Sequence, residues 1–331
     1  MSRSKSTSVS PVTIDAKLVK SILPSRDPGA HKWGVGGVLI IGGSPGYIGA
    51  PALAAMGAGR SGAGIVSIAS PRSALGAIAS IVPEATFMPL PEGDLGAGGE
   101  RAAERIREKL DRYRALVVGP GLGEDEYADA IMQGLTGAAI APRATSSLGF
   151  SVGRAATTTQ SESSSMTILG GSIPAVIDAD GLNWLAGQED WPSRFAPNSL
   201  VLTPHIGEMA RLTGLETSEI AAESAGVAAR FAAEWQQTIV LKGGPTVVAS
   251  GDQVRVATAS PAALATAGSG DVLAGSIGAL LAQGCSPIDA ATAAIYLGVE
   301  AAERLTKRFS ALGVIATDLP MAIAESIAEL G

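Results

Sequence analysis

Residues 265–275, ATAGSGDVLAG, combine the residue types that phosphoryl chemistry needs. The small residues Gly268, Ser269 and Gly270 let backbone amides approach an anion closely. From Asp271 onward the segment has the composition of a helix, whose N-terminus favours phosphate. A carboxylate beside such a nest can take a proton from a substrate hydroxyl while a phosphoryl group is stabilised next to it. The same letters also fit a plain turn with Asp271 as helix N-cap. The apolar run that follows, VLAGSIGALLAQG, favours a buried, preorganised site.

Other turns carry related chemistry. The glycine-rich segments 42–50 (GGSPGYIGA) and 119–123 (GPGLG) each follow an apolar run, where backbone amides could meet a nucleotide or sugar, or where a tight strand-to-helix turn suffices. The segment 178–183 (DADGLN) offers paired acids for a metal, a ribose or a helix cap. In TPHIGE (203–208), His205 reads as structural more readily than catalytic, and Glu208 as a helix starter. Lys242, followed by Gly243, Gly244, Pro245 and Thr246, suits a nucleotide phosphate or ribose; the alternative is a hairpin turn with a solvated lysine. Two motifs drop out. Gly57, Gly59 and Gly62 spell a dinucleotide fingerprint but follow a helix-like run and precede a strand, the reverse of the required context. No lysine follows a glycine anywhere, so a P-loop is excluded.

The elements that must hold these turns are visible as short apolar runs at 38–41, 65–69, 116–118, 175–177, 200–202 and 238–241. Continuous β-branched runs of this kind indicate buried parallel strands. Helical patterns at 101–110, 218–235 and 289–305 lie between or after them, so the expected architecture is α/β with helices on both faces of the sheet. Ligands in such sheets bind at the carboxyl ends of the strands, where the glycines fall. The segment 138–171, rich in Ser and Thr with little periodicity, reads as a long insertion, and 1–25 as a flexible N-terminal segment ahead of a single domain over 26–331.

Composition narrows the function. The chain has 331 residues, 46% of them hydrophobic and 17% charged, ample for a large core. One cysteine and two histidines exclude a disulfide framework and a Cys- or His-based metal cluster. The net charge of −7 argues against nucleic acid. The uncharged stretch 272–288 is broken by Gly, Ser and Pro, which argues against a membrane span. The polar leading residues MSRSKSTSVS lack a secretory apolar region. A cytoplasmic location is expected.

Taken in order, His31-Lys32…Gly36, GGSPGYIGA, GAG at 62–64, Pro83-Glu84, GPGLG, DADGLN, TPHxGE, LKGxxT and ATAGSGDVLAG resemble the ADP/ATP-dependent NAD(P)H-hydrate dehydratase family over roughly residues 31–319. The GSGD element is shared by ribokinase-like kinases; DADGLN and TPHxGE narrow the resemblance. It implies a ribokinase-like three-layer α/β/α sandwich with a mostly parallel central sheet. It also implies a repair reaction in which the S epimer of hydrated NADH or NADPH loses water at the expense of ADP or ATP, with Mg²⁺. A ring hydroxyl would be phosphorylated and phosphate, a far better leaving group than hydroxide, would then depart.

Carried over by residue, the resemblance makes Asp271 the base and a substrate contact, and Gly268, Ser269 and Gly270 the anion hole. Lys242, Gly243, Gly244, Pro245, Thr246 and Gly270 would line the nucleotide site. Ala50, Pro51, Gly123 and His205 would contact the hydrate, with Asp178 and Asn183 in indirect support. No protein metal ligand is assigned. The chain departs from the family pattern at Trp33, at Pro51, where a small residue is common, and at 260–263. The resemblance further implies a homo-oligomer, a tetramer in many members, and a separate NAD(P)H-hydrate epimerase, since about thirty leading residues cannot hold that domain. The rival readings are a ribokinase-like vitamin-precursor kinase, which would release a phosphorylated product, and a nucleotide-binding regulator without catalysis.

Overall fold

A computed structural model of the chain describes residues 11–93, 97–137 and 168–331. Most of the expected insertion at 138–171 and the first ten residues lie outside these.

Ten strands form one sheet: β1 (Val12–Ile14), β2 (Gly37–Ile41), β3 (Ile65–Pro71), β4 (Thr86–Leu90), β5 (Ala115–Val118), β6 (Ala175–Ile177), β7 (Leu200–Leu202), β8 (Thr238–Leu241), β9 (Val247–Ser250) and β10 (Gln253–Ala257). Their spatial order is β1-β10-β9-β8-β7-β6-β5-β2-β3-β4. From β8 to β4 every pairing is parallel; β9 alone runs against both of its neighbours. All six strands read from the sequence are present. Each is buried on both faces because alternate residues feed separate cores. Leu39, Ile41, Leu116, Val118, Ile239 and Leu241 enter one core, packed with Phe231 and Trp235 of the helix Ser224–Trp235. Val38, Ile40, Val117 and Val240 enter the other, beneath the helices Gly49–Arg60, Ser269–Ala282 and Pro287–Phe309. The result is the expected three-layer sandwich with a mostly parallel sheet.

Strand order reverses between β5 and β2, which opens a crevice at their carboxyl ends. The turns 42–50 and 119–123 meet there: Gly43 N–H donates to the Pro120 carbonyl over 2.9 Å and Ser44 Oγ to that of Gly121 over 3.0 Å. The false dinucleotide fingerprint lies as expected, with Gly57 and Gly59 inside a helix and Gly62 ahead of β3. Gly57 has a packing task. A Cβ there would run into the Val272 carbonyl oxygen, and a Cβ on Gly275 into that of Ala54. The helices Gly49–Arg60 and Ser269–Ala282 can therefore lie nearly in backbone contact, which fixes the start of the second helix against the crevice.

Three features depart from the sequence reading. The expected flexible segment 1–25 is ordered from residue 12: β1 pairs with β10, Asp15 Oδ1 caps the helix Ala16–Ile22 by accepting from Leu18 N–H at 2.8 Å, and Ile14 and Val19 are buried. A three-residue strand has no local signal; it forms because β10 offers an edge. The helix expected over 218–235 breaks at Glu223 into Thr217–Ala222 and Ser224–Trp235. Strands β4, β9 and β10 went unread because Pro89 and the polar residues of 247–257 interrupt their patterns.

Gly→Ala in an open helix position stabilises by roughly 1 kcal/mol through propensity. At Gly275 the clash outweighs that gain, so Gly275→Ala should lower unfolding free energy by about 1–3 kcal/mol in urea titrations. Gly76→Ala, where nothing lies within 4 Å of the new Cβ, should be neutral or stabilising.

Candidate active site

The helix Ser269–Ala282 begins at Gly268, whose φ of 90° is a left-handed conformation that glycine adopts without strain. Ser269 Oγ donates to the Leu264 carbonyl at 2.8 Å, tying the turn to the preceding loop. Asp271 falls in the first helical turn. Burial, reinforced by the neighbouring Asp178 carboxylate and opposed by Lys242, pushes its carboxyl up to about 7. It is thus poised to exchange a proton near neutral pH.

Lys242 ends β8, where its backbone N–H donates to the Pro204 carbonyl at 2.8 Å. Its ammonium lies 2.9 Å from Asp178 Oδ1 and 3.7 Å from Glu208 Oε2. Burial alone would lower the lysine pKa; Asp178, Glu208 and Asp271 outweigh it and hold Lys242 charged, above its ordinary value. Asp178, at the end of β6 and 2% exposed, also accepts from Thr203 Oγ1 at 2.7 Å. A Cβ on Gly270 would sit 3.4 Å from Lys242 Nζ and 3.9 Å from Asp178 Oδ2, so the glycine turn faces this ion pair directly. The hairpin alternative for 242–246 holds, since β8 and β9 pair antiparallel around it, but the lysine is partly buried and ion-paired.

The turn after β6 is strained. Ala179 has φ 49° and ψ −121°, a conformation costly for a residue with a Cβ, and it aims Asp178 and Asp180 from adjacent turns of chain. Asp180 Oδ2 accepts from Gly123 N–H at 2.8 Å. Burial raises the Asp180 carboxyl, the Gly123 hydrogen bond opposes this, and Glu124 and Asp178 add to the rise. His205 caps the helix Ile206–Thr213: Nδ1 accepts from Gly207 N–H at 2.9 Å and Glu208 N–H at 3.2 Å, while Glu208 Oε2 accepts from His205 N–H at 2.7 Å. This network assigns the imidazole proton to Nε2, on a ring that is 54% exposed.

A cavity of about 370 Å³ runs from Lys242 and Gly270 past Thr246 and Ser260 to apolar walls at Leu264 and Val299. Four of the six nucleotide-site residues read from sequence line it, Lys242, Gly243, Thr246 and Gly270, and Gly244 is exposed in the same turn. Pro245 is exposed beside them. The hydrate-side residues form a looser set. Ala50 faces Gly121 in the first turn of its helix, and Gly123 has no atom nearer than Ser44 Oγ, 3.8 Å from where its Cβ would be. Pro51 is buried beneath Gly43, and the Gly123 amide is already given to Asp180. Asn183 does not reach Lys242 or Asp271 by any hydrogen bond among the described residues; it holds Glu124 and Arg211. No group of three His, Cys, Asp or Glu side chains there could hold a metal unaided.

The family model described as NAD(P)H-hydrate dehydratase matches residues 38–140 and 153–325. The chain belongs to the NAD(P)H-hydrate dehydratase family. Within it, the ADP-dependent (S)-NAD(P)H-hydrate dehydratase of Bacillus subtilis is 32% identical over 91% of this chain and 92% of its own length. The bifunctional NAD(P)H-hydrate repair enzyme of Salinibacter ruber is 39% identical over 93% of this chain. This chain spans about half the length of the bifunctional relatives it matches. The crystal structure of the Bacillus subtilis ADP/ATP-dependent dehydratase, co-crystallised with ATP and Mg²⁺, superposes with a TM-score of 0.77 at 29% identity, covering 98% of this chain and all of the other. The ribokinase-like fold implied by the dehydratase motifs is therefore the fold observed.

The sequence reading offered Asp178 and Asp180 for a metal, a ribose or a helix cap and Glu208 as a helix starter, and gave Thr203 no role of its own. Their positions after β6 and β7, beside a strand-end lysine, were the available signal.

The Asp271 carboxyl of this dehydratase-family chain makes a stability prediction. A folded pKa of about 7 against an ordinary 3.8 means that the native state binds the proton more tightly. The Asp271 contribution to stability should therefore fall as pH rises from about 4 to about 7, by up to about 4 kcal/mol at about 1.36 kcal/mol per unit. Asp271→Asn removes this loss: its Tm should exceed wild type at pH 8 and converge with it toward pH 4.

Proposed function

We propose that this protein dehydrates the S epimer of hydrated NADH or NADPH, using ADP or ATP, and restores the reduced dinucleotide. The observation that carries the reading is Asp271, a carboxyl held near 7 at a glycine-opened helix N-terminus, with Lys242 and Asp178 facing the same turn.

The nucleotide lies in the 370 Å³ cavity, base toward Leu264 and Val299, phosphates toward Lys242 and Gly270. The hydrate occupies the crevice framed by Ala50, Gly123 and His205, with its ring hydroxyl on Asp271. Asp271 takes the hydroxyl proton as the oxygen attacks the terminal phosphorus, and the bond to the nucleotide's bridging oxygen breaks. Backbone amides of Gly268, Ser269 and Gly270 and the Lys242 ammonium stabilise the charge on the transferring group. The ring then loses inorganic phosphate and a proton from the adjacent carbon, restoring the double bond.

The donor set suits a Mg²⁺ that enters on the nucleotide. Asp178 and Glu208 already share Lys242 as their cation, which leaves Asp178 Oδ2, facing Gly270, as the carboxylate to reach an ion held otherwise by phosphate oxygens and water. Mg²⁺ bound there would neutralise phosphate charge. An NAD(P)H-hydrate epimerase would supply the S form from the R form, in keeping with the bifunctional names of the relatives. The reading includes a homo-oligomer acting in the cytoplasm; no helix among the described residues is long and apolar enough to cross a membrane.

The test is recovery of reduced-nicotinamide absorbance from NADH hydrate with Mg²⁺ and ADP, ATP or no nucleotide. Recovery should require nucleotide and release one inorganic phosphate per NADH, and Asp271→Asn should lower it by about 10²–10⁴-fold. Since the base must be ionised, kcat/KM should rise with pH up to about 7 and level above it. No recovery from protein that binds nucleotide overturns the proposal, and a stable phosphorylated alcohol as product would establish the kinase alternative.

A further inference from the structure

A second pocket, of about 550 Å³, opens beside the crevice and is framed by Gly123, Glu124, Asp129, Asp180, Trp184 and Arg211. We infer that this pocket seats the riboside portion of the hydrated dinucleotide and that Arg211, at its rim, grips the adjoining phosphate, an inference that rests on the dehydratase reading.

The pocket's walls are held in place from within. Trp184, half-buried, donates its indole N–H to Asp129 Oδ1 at 2.7 Å. Asn183 bridges the two sides: its Nδ2 donates to Glu124 Oε1 at 3.1 Å, and its Oδ1 accepts from Arg211 Nε at 3.1 Å and Nη2 at 2.9 Å. Arg211 is exposed and forms no ion pair among the described residues. Its guanidinium is thus oriented by a neutral amide, and the carboxylates that line the same pocket form no direct ion pair with it. Arg255, by contrast, is matched to Asp289 at 2.8 Å and Arg304 to Glu325 at 3.6 Å. An arginine anchored along one edge, with its other edge free, is suited to a phosphate.

The interior has the opposite character. Glu124, Asp129 and Asp180 line it with carboxylates, which repel phosphate but accept from hydroxyl and amide donors. The complementary ligand is uncharged and rich in donors inside the pocket, with an anion at the mouth. A nicotinamide riboside has ribose hydroxyls and a carboxamide, and it carries its phosphate on the 5′ side. Asp178 Oδ2 faces Gly270 beside Asp271, and two residues on, Asp180 Oδ2 holds the Gly123 amide at the pocket's edge, so a ring presented to Asp271 can extend its ribose into this pocket. The helix that carries Arg211 starts at His205, so one element brings both residues to the substrate side.

The experiment compares wild type with Arg211→Ala and Arg211→Lys on hydrates of NADH, reduced nicotinamide mononucleotide and reduced nicotinamide riboside. Arg211→Ala should raise KM about tenfold or more for the two phosphate-bearing hydrates, with kcat within about twofold, and leave the riboside hydrate unaffected. Arg211→Lys should recover part of that loss. The ADP dissociation constant and Tm should match wild type, because Arg211 is exposed and outside the nucleotide cavity. An unchanged KM for NADH hydrate, or an equal rise for the riboside hydrate, overturns the subsite and leaves the dehydratase reading standing. If wild type binds ADP but turns over none of the hydrates, the dehydratase reading falls and the subsite with it.

Discussion

The buried contact between Lys242 and Asp178 organises this molecule's chemistry. It joins the ends of β6 and β8, two strands that are not adjacent in the sheet but are separated by β7. Thr203, at the end of β7, completes the bridge through its hydroxyl. Three neighbouring strand ends are thus clamped by side chains beyond the point where their backbone ladder stops. Asp178 is buried and Lys242 only partly exposed, so the pair demands partners, and Glu208 and Gly270 supply the rest of the enclosure. Removing either charge would leave the other buried and unpaired, which is why the arrangement is rigid.

That rigidity has a chemical use. Lys242 is kept charged beside the glycine turn, while burial and the Asp178 carboxylate make ionisation of Asp271 costly. Two groups of opposite role thus sit within one electrostatic cluster, a cation that stays protonated and a carboxyl that titrates near neutrality. The glycine turn between them contributes backbone amides without bringing a side chain into the space. The packing of Gly57 and Gly275 sets the position of that turn relative to the crevice, so a feature of the helix layer controls the geometry of the reaction.

The substrate side follows from topology. Because strand order reverses between β5 and β2, the loops after these strands diverge and leave a crevice, and hydrogen bonds from Gly43 and Ser44 hold its two lips in register. The 370 Å³ cavity is lined by residues of the hairpin and of the helices Ser269–Ala282 and Pro287–Phe309.

Much of this was written in the sequence. Continuous apolar runs fixed six parallel strands, because a strand buried on both faces must be apolar throughout. The ordered motifs from His31 to Gly275 identified the family, because each marks a strand end where backbone must approach a ligand. The local pattern did not reveal β1, whose only support is the edge of β10, or the break at Glu223. Nor could spacing tell that His205 would spend Nδ1 on capping its own helix, that Pro51 would be buried, or that Lys242 would be partly buried and ion-paired. Those outcomes depend on which strand ends lie side by side and how far water is excluded from between them. Residue types and their order along the chain determined the fold and the kind of chemistry; the charge states and partners of Lys242, Asp178 and Asp271 were decided by long-range contacts, since electrostatics at a site is set by neighbours in space.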